Sequence, residues 1–114
     1  MSTISTHVLD TALGRPAAGV HVTLERVDDA RTGAPLGSGS TDADGRLRDL
    51  LPAGSSLGED VYRLRFDVGA YFARTGREAF YPEVVVVFRV GATPGHYHLP
   101  LLLSPFGYST YRGS

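Results

Sequence analysis

The sequence predicts an all-β domain built as a sandwich of two sheets. Three observations carry that reading. Fourteen glycines and seven prolines cut the 114 residues into short segments, and those segments are rich in the β-branched and aromatic side chains that favour strands. Several of them alternate apolar and polar residues, the period of two that gives a strand one buried face. Only Ala70 to Glu78 lacks this alternation and fits a helical period better. The chain is long enough for one compact core and too short for two ordinary domains, so residues 1–114 read as a single domain.

Thr3 to Asp10 reads as the first strand, closed by the turn residues around Gly14, Arg15 and Pro16. From Val20 to Val27, Val20, Val22 and Leu24 share one face while His21, Thr23 and Glu25 share the other. Ser38 to Thr41 and Arg46 to Leu50 form two short strands around the turn formers Asp42-Ala43-Asp44-Gly45. Val61 to Val68 alternates again, with Tyr62, Leu64 and Phe66 opposite Arg63, Arg65 and Asp67. Ala70 to Glu78 carries about two turns of helix, placing Tyr71, Phe72 and the Arg74 and Arg77 side, and Pro82 is expected to stop it. Glu83 to Val90 is apolar on both faces, which predicts cover from both sides, by the rest of the fold or by a partner subunit. His96 to Ser104 and Gly107 to Arg112 complete about eight strands, a number that suits a sandwich.

Composition narrows the function. Apolar residues make up 42% and charged residues 20% of the chain, a balance that fits a water-soluble globular domain and excludes a disordered one. A net charge of −1, with eleven Lys and Arg spread along the sequence, offers no basic surface for a nucleic acid. The longest apolar run, Val84 to Phe88, falls far short of the ~20 residues of a membrane helix. With no charged-then-apolar leader at its start, the chain is expected to be cytoplasmic. Cysteine is absent, so disulfides and thiolate chemistry are excluded, and any metal would need His, Asp or Glu ligands.

The histidines are the chemical signal. In His96 to Ser104, alternation puts Tyr97, Leu99, Leu101 and Leu103 on the core face, so His96, His98, Pro100 and Leu102 share the other. Pro100, which cannot donate to a ladder, marks an edge or a bulge. Such a half-apolar outer face fits a surface buried in an oligomer or lining a cleft. His7 lies on one face with Ser5 and Leu9. If both strands share a sheet, His7 and His98 converge with an arginine into a site that binds a planar molecule and activates water near neutral pH. A histidine on a strand is more often a hydrogen-bonded structural residue, and His-x-His with a third histidine also suits zinc. Zinc ranks below metal-free acid–base chemistry because no carboxylate stands near these histidines in sequence to orient them.

The ending HYHLPLLLSPFGYSTYRGS, with STHVLDTALGRPAAGVHVTL, TDADGR and FYPEVVVVF, resembles the 5-hydroxyisourate hydrolases, the transthyretin-related enzymes of urate breakdown. The match runs over essentially the whole chain, and its terminal Tyr111-Arg112-Gly113-Ser114 is highly specific for that family. The resemblance implies a transthyretin-like sandwich of two four-stranded sheets with one short helix. It also implies a homotetramer, a dimer of dimers, whose active sites line the channel where transthyretin carries thyroid hormone. His7, Arg46, His98 and Ser114 then correspond to catalytic residues, and Tyr111, Arg112, Gly113 and Leu102 to substrate-binding ones. His96 is left as structural or as a support for the residues that meet the substrate. The substrate implied is 5-hydroxyisourate, with no cofactor and no metal.

Overall fold

A computed structural model of the chain describes residues 1–27 and 35–114. Among these residues, nine strands and one helix form two facing sheets. The first sheet runs β2 (Arg15–Pro16), β1 (Thr3–Asp10), β8 (His96–Ser104), β9 (Gly107–Thr110), and β5 (Arg46–Leu47) pairs with β1 beside β2. The second runs β4 (Gly37–Ser40), β3 (His21–Arg26), β6 (Asp60–Phe66), β7 (Val84–Val90). All neighbours are antiparallel except β1 and β8, the first and the last long strands, which lie parallel along eight residue pairs from Thr3–His96 to Asp10–Leu103.

Alternation places the core as expected. Val22, Leu24, Tyr62, Leu64 and Phe66 of the second sheet and Ile4, Val8, Leu99, Leu101 and Leu103 of the first are buried between the sheets. The outer face of β1 and β8 therefore presents Ser5, His7, His96, His98 and Leu102.

Two elements differ from the sequence reading, the helix bounds and Pro100, and a third, the cover of Glu83 to Val90, is met on one face by the chain itself. The helix α1 spans Val68–Arg74, begun by Asp67, whose carboxylate accepts from the Ala70 N–H at 3.3 Å, and closed at Thr75. Capping sets both ends, so the helix finishes well before Pro82. Strand β7 is an edge strand covered on one face: Val84 and Val90 are buried, while Val85 and Val87 are 36% and 59% exposed. The chain supplies one layer against it and, among the described residues, no second. Pro100 marks neither an edge nor a bulge, because β8 lies between β1 and β9. The β8–β9 register, Leu101 opposite Thr110, continues unchanged to the bridge of His98 with Gly113. The proline N–H is missing from the ladder at this point, and beside it the Thr110 hydroxyl donates to the Pro100 carbonyl at 2.7 Å.

One buried charge ties the sheet to the helix. The Asp10 side chain is 0% exposed and accepts from Arg77 Nη2 at 2.6 Å, the Tyr71 hydroxyl at 2.8 Å and the Leu13 N–H at 3.0 Å. Burial pushes the carboxyl pKa up, but the Arg77 and Tyr71 hydrogen bonds outweigh it and hold the group below its ordinary value. Among the described residues, no helix is long and apolar enough to cross a membrane.

Candidate active site

The site forms where three strands of the first sheet meet. Its first part is TDADGR. The Asp42 carboxylate accepts from the backbone N–H of Asp44 and of Arg46, both at 2.9 Å, folding the segment into a tight loop. The Arg46 N–H holds that carboxyl below its ordinary range. Gly45 adopts φ of +76°, and a Cβ there would come within 2.3 Å of the Val8 carbonyl, so only glycine fits. The loop thereby docks on β1, where Arg46 stands opposite His7.

The parallel pairing supplies the second part. Ser5 stands beside His98 and His7 beside Pro100, so on this face His7 and His98 are diagonal neighbours. The His7 Nε2 contacts the Asp44 carbonyl at 2.8 Å; a carbonyl only accepts, so this nitrogen carries the hydrogen. The Ser5 hydroxyl contacts both His98 Nδ1 and His96 Nε2 at 2.8 Å, and the Thr3 hydroxyl contacts His96 Nδ1 at 2.6 Å.

The last residues close the site. The Gly113 N–H donates to the His98 carbonyl at 2.7 Å, which lays the tail across the imidazole and brings Ser114 to the cleft. A Cβ on Gly113 would stand 2.7 Å from His98 Cδ2. Gly113→Ala is therefore expected to displace the His98 ring or the tail, read as a shift of the His98 ring resonances, while stability changes by no more than about 0.5 kcal/mol at this surface position. Unmoved resonances would show that the tail does not seat the ring.

The cleft holds about 210 Å³ and is lined by Ser5, Arg46, Arg48, His96, His98 and Ser114, with Thr6 at its base. This is smaller and more polar than the usual ligand site. Burial lowers the His98 pKa, and electrostatic repulsion of its charged form by the neighbouring His7, His96 and Arg46 lowers it further. Below the ordinary histidine value of about 6.5, His98 is neutral at pH 7 and has a lone pair to offer.

Of the residues singled out in the sequence, His7, Arg46, His98, Gly113 and Ser114 come together here. Leu102 lies farther along the same outer face, paired with Leu9, and does not line the cleft. Tyr111 and Arg112 face a different groove of about 310 Å³, between β7 and the end of β8, where the Arg112 guanidinium sits 4.5 Å over the Tyr97 ring. Sequence reasoning missed Thr3, Ser5 and Arg48. Alternation already placed Ser5 on the face of His7, but only the parallel register with β8 brings it to His98. Among the described residues, no three His, Asp or Glu side chains gather to hold a metal ion.

The fold and the site together define a transthyretin-like sandwich that carries a histidine–arginine cleft on one outer sheet face. The sequence matches the HIUase/Transthyretin family over residues 4–113. It is 48% identical over 118 residues to 5-hydroxyisourate hydrolase of Caulobacter vibrioides, covering 100% of both chains. The solved structure of Klebsiella pneumoniae 5-hydroxyisourate hydrolase superposes with a TM-score of 0.87 at 42% identity, covering 100% of both chains. Transthyretin from Sparus aurata superposes with a TM-score of 0.86 at 34% identity, covering 97% of this chain and 96% of that one. The chain belongs to the HIUase/transthyretin family.

Proposed function

We propose that this protein hydrolyses 5-hydroxyisourate to 2-oxo-4-hydroxy-4-carboxy-5-ureidoimidazoline. The observation that carries the reading is a neutral His98 held in a polar cleft with Arg46 and Ser114. A carrier of an apolar hormone needs apolar walls there, and this cleft is lined by hydroxyls, imidazoles and guanidinium groups.

His98 is the base. Its Nδ1 is engaged by Ser5, so Nε2 takes a proton from water as the water oxygen bonds to the ring carbonyl carbon. The carbonyl π electrons move onto oxygen, and the Arg46 guanidinium, always charged, stabilises that oxyanion through paired N–H donors. Collapse restores the carbonyl, breaks the C–N bond and opens the six-membered ring, and the proton on His98 passes to the departing nitrogen. His7, held by the Asp44 carbonyl, and Ser114 position the ring. Tyr111, Arg112 and Leu102 fall outside this single-chain cleft, and their binding role belongs to the assembled protein.

The assembly we propose is a homotetramer. Val85 and Val87 on the uncovered face of β7, with Phe80 and Phe106 each 68% exposed, supply the apolar surface a partner would bury. Solution mass measurement tests it, and a monomer at micromolar concentration would refute it.

The direct test of function is the ultraviolet decay of freshly generated 5-hydroxyisourate. The protein should accelerate that decay at catalytic concentration, with a rate that rises with pH through a single acidic limb below about 6.5. Decay at the spontaneous rate would refute the reading.

A further inference from the structure

The Ser5 hydroxyl has one hydrogen and touches two imidazole nitrogens, His98 Nδ1 and His96 Nε2, each at 2.8 Å. It donates to one and must accept from the other. Two self-consistent arrangements follow. In the first, His98 Nδ1–H donates to Ser5, Ser5 donates to His96 Nε2, and His96 Nδ1–H donates to the Thr3 hydroxyl, 2.6 Å away. His98 then offers a bare Nε2. In the second, every donor is reversed: Thr3 donates to His96, His96 to Ser5 and Ser5 to His98, whose Nε2 then carries a hydrogen.

The surroundings choose between them. The groups facing His98 are His7 from β1, His96 from its own strand, Arg46 and Arg48 from the β5 segment, and Ser114 from the tail. Arg46 and Arg48 are permanent cations with donors only. An N–H pointed at them meets like-signed hydrogens, whereas a lone pair is attracted. No salt bridge or hydrogen bond from His98 to an acidic side chain or to the Ser114 carboxylate offsets this among the described residues.

We infer that Ser5 and His96 are positioning residues: a one-way chain from His98 Nδ1–H through Ser5 and His96 to Thr3 fixes His98 as the tautomer with a bare Nε2 toward the cleft. The chain does what a carboxylate does in most histidine bases, with a neutral hydroxyl and a second imidazole in its place. It explains why His-x-His, two imidazoles on one strand face, occurs without a metal ligand set. This rests on His98 as the base of the proposed reaction.

The test reads the tautomer directly, by long-range proton–nitrogen correlation in 15N-labelled protein above the His98 titration. Wild-type His98 should carry its hydrogen on Nδ1. Ser5→Ala removes the acceptor of the Nδ1 hydrogen, so the Nε2–H form should gain population and kcat should fall roughly 10- to 100-fold with KM little changed, and His96→Ala should shift both in the same direction by less. His96→Gln, whose amide oxygen still accepts from Ser5, should keep the Nδ1–H tautomer and most of the turnover. A wild-type His98 with hydrogen on Nε2 would overturn the inference, as would a Ser5→Ala protein that changes tautomer and turns over at the original rate. The stated tautomer in a protein that leaves 5-hydroxyisourate untouched would support the chain and refute the hydrolase.

Discussion

Replacing His98 by asparagine is expected to lower turnover of 5-hydroxyisourate about 10²–10⁴-fold, the usual worth of one positioned proton transfer. Asparagine keeps a polar group within reach of Ser5 and adds no volume, so the cleft and the assembly should survive. The loss should fall on kcat, because the proton moves only as the water oxygen attacks. Substrate decay measured across pH, with solution mass as the control for assembly, checks both halves. A His98→Asn protein of wild-type mass and wild-type rate would remove His98 from the chemistry and leave His7 and His96 as the remaining imidazoles.

The second large effect is on stability. Asp10→Ala leaves the Arg77 guanidinium and the Tyr71 hydroxyl facing an apolar gap where β1 meets the helix. Breaking a buried pair from one side costs about 3 kcal/mol, or roughly 10 °C in melting temperature for a domain of this size. The pH dependence has a definite sign. The folded carboxyl lies below its ordinary value, so its contribution is present above the unfolded pKa of about 3.9 and is lost as pH falls through the lower folded value. Denaturant titrations should therefore show the wild type losing stability in acid more steeply than Asp10→Ala. Parallel acid profiles for the two proteins would show that this carboxylate is not a source of acid sensitivity. The candidate cleft lies on the outer face of the sheet, so Asp10→Ala should retain turnover at temperatures where it stays folded.

The two experiments probe opposite uses of burial. Asp10 is buried with cationic and hydroxyl partners, which outweigh desolvation and keep it charged. His98 is partly buried with positive neighbours, so desolvation and repulsion act together and keep it neutral. A charged carboxylate holds the fold, and a neutral imidazole is the base of the proposed reaction.

Local chemistry was enough to place the long strands, the core face of those that alternate and the loop that carries Arg46. Period two in Val20–Val27 and Val61–Val68 is the physical cause of burial there, and Asp42 and Gly45 fold their loop through bonds no more than four residues apart in sequence. The family resemblance named the catalytic set, and the first and last long strands already carried imidazoles on definable faces. What sequence alone could not settle is which strands pair and in which register. The parallel contact of β1 with β8, more than ninety residues apart in sequence, decides that Ser5, and not His7, stands beside His98. It also decides that Pro100 interrupts a central strand instead of ending a sheet. Pairing is a property of the whole chain, since backbone hydrogen bonds carry no residue identity and register follows from which faces must be buried together. The hydroxyl-linked imidazoles are legible only after that choice has been made.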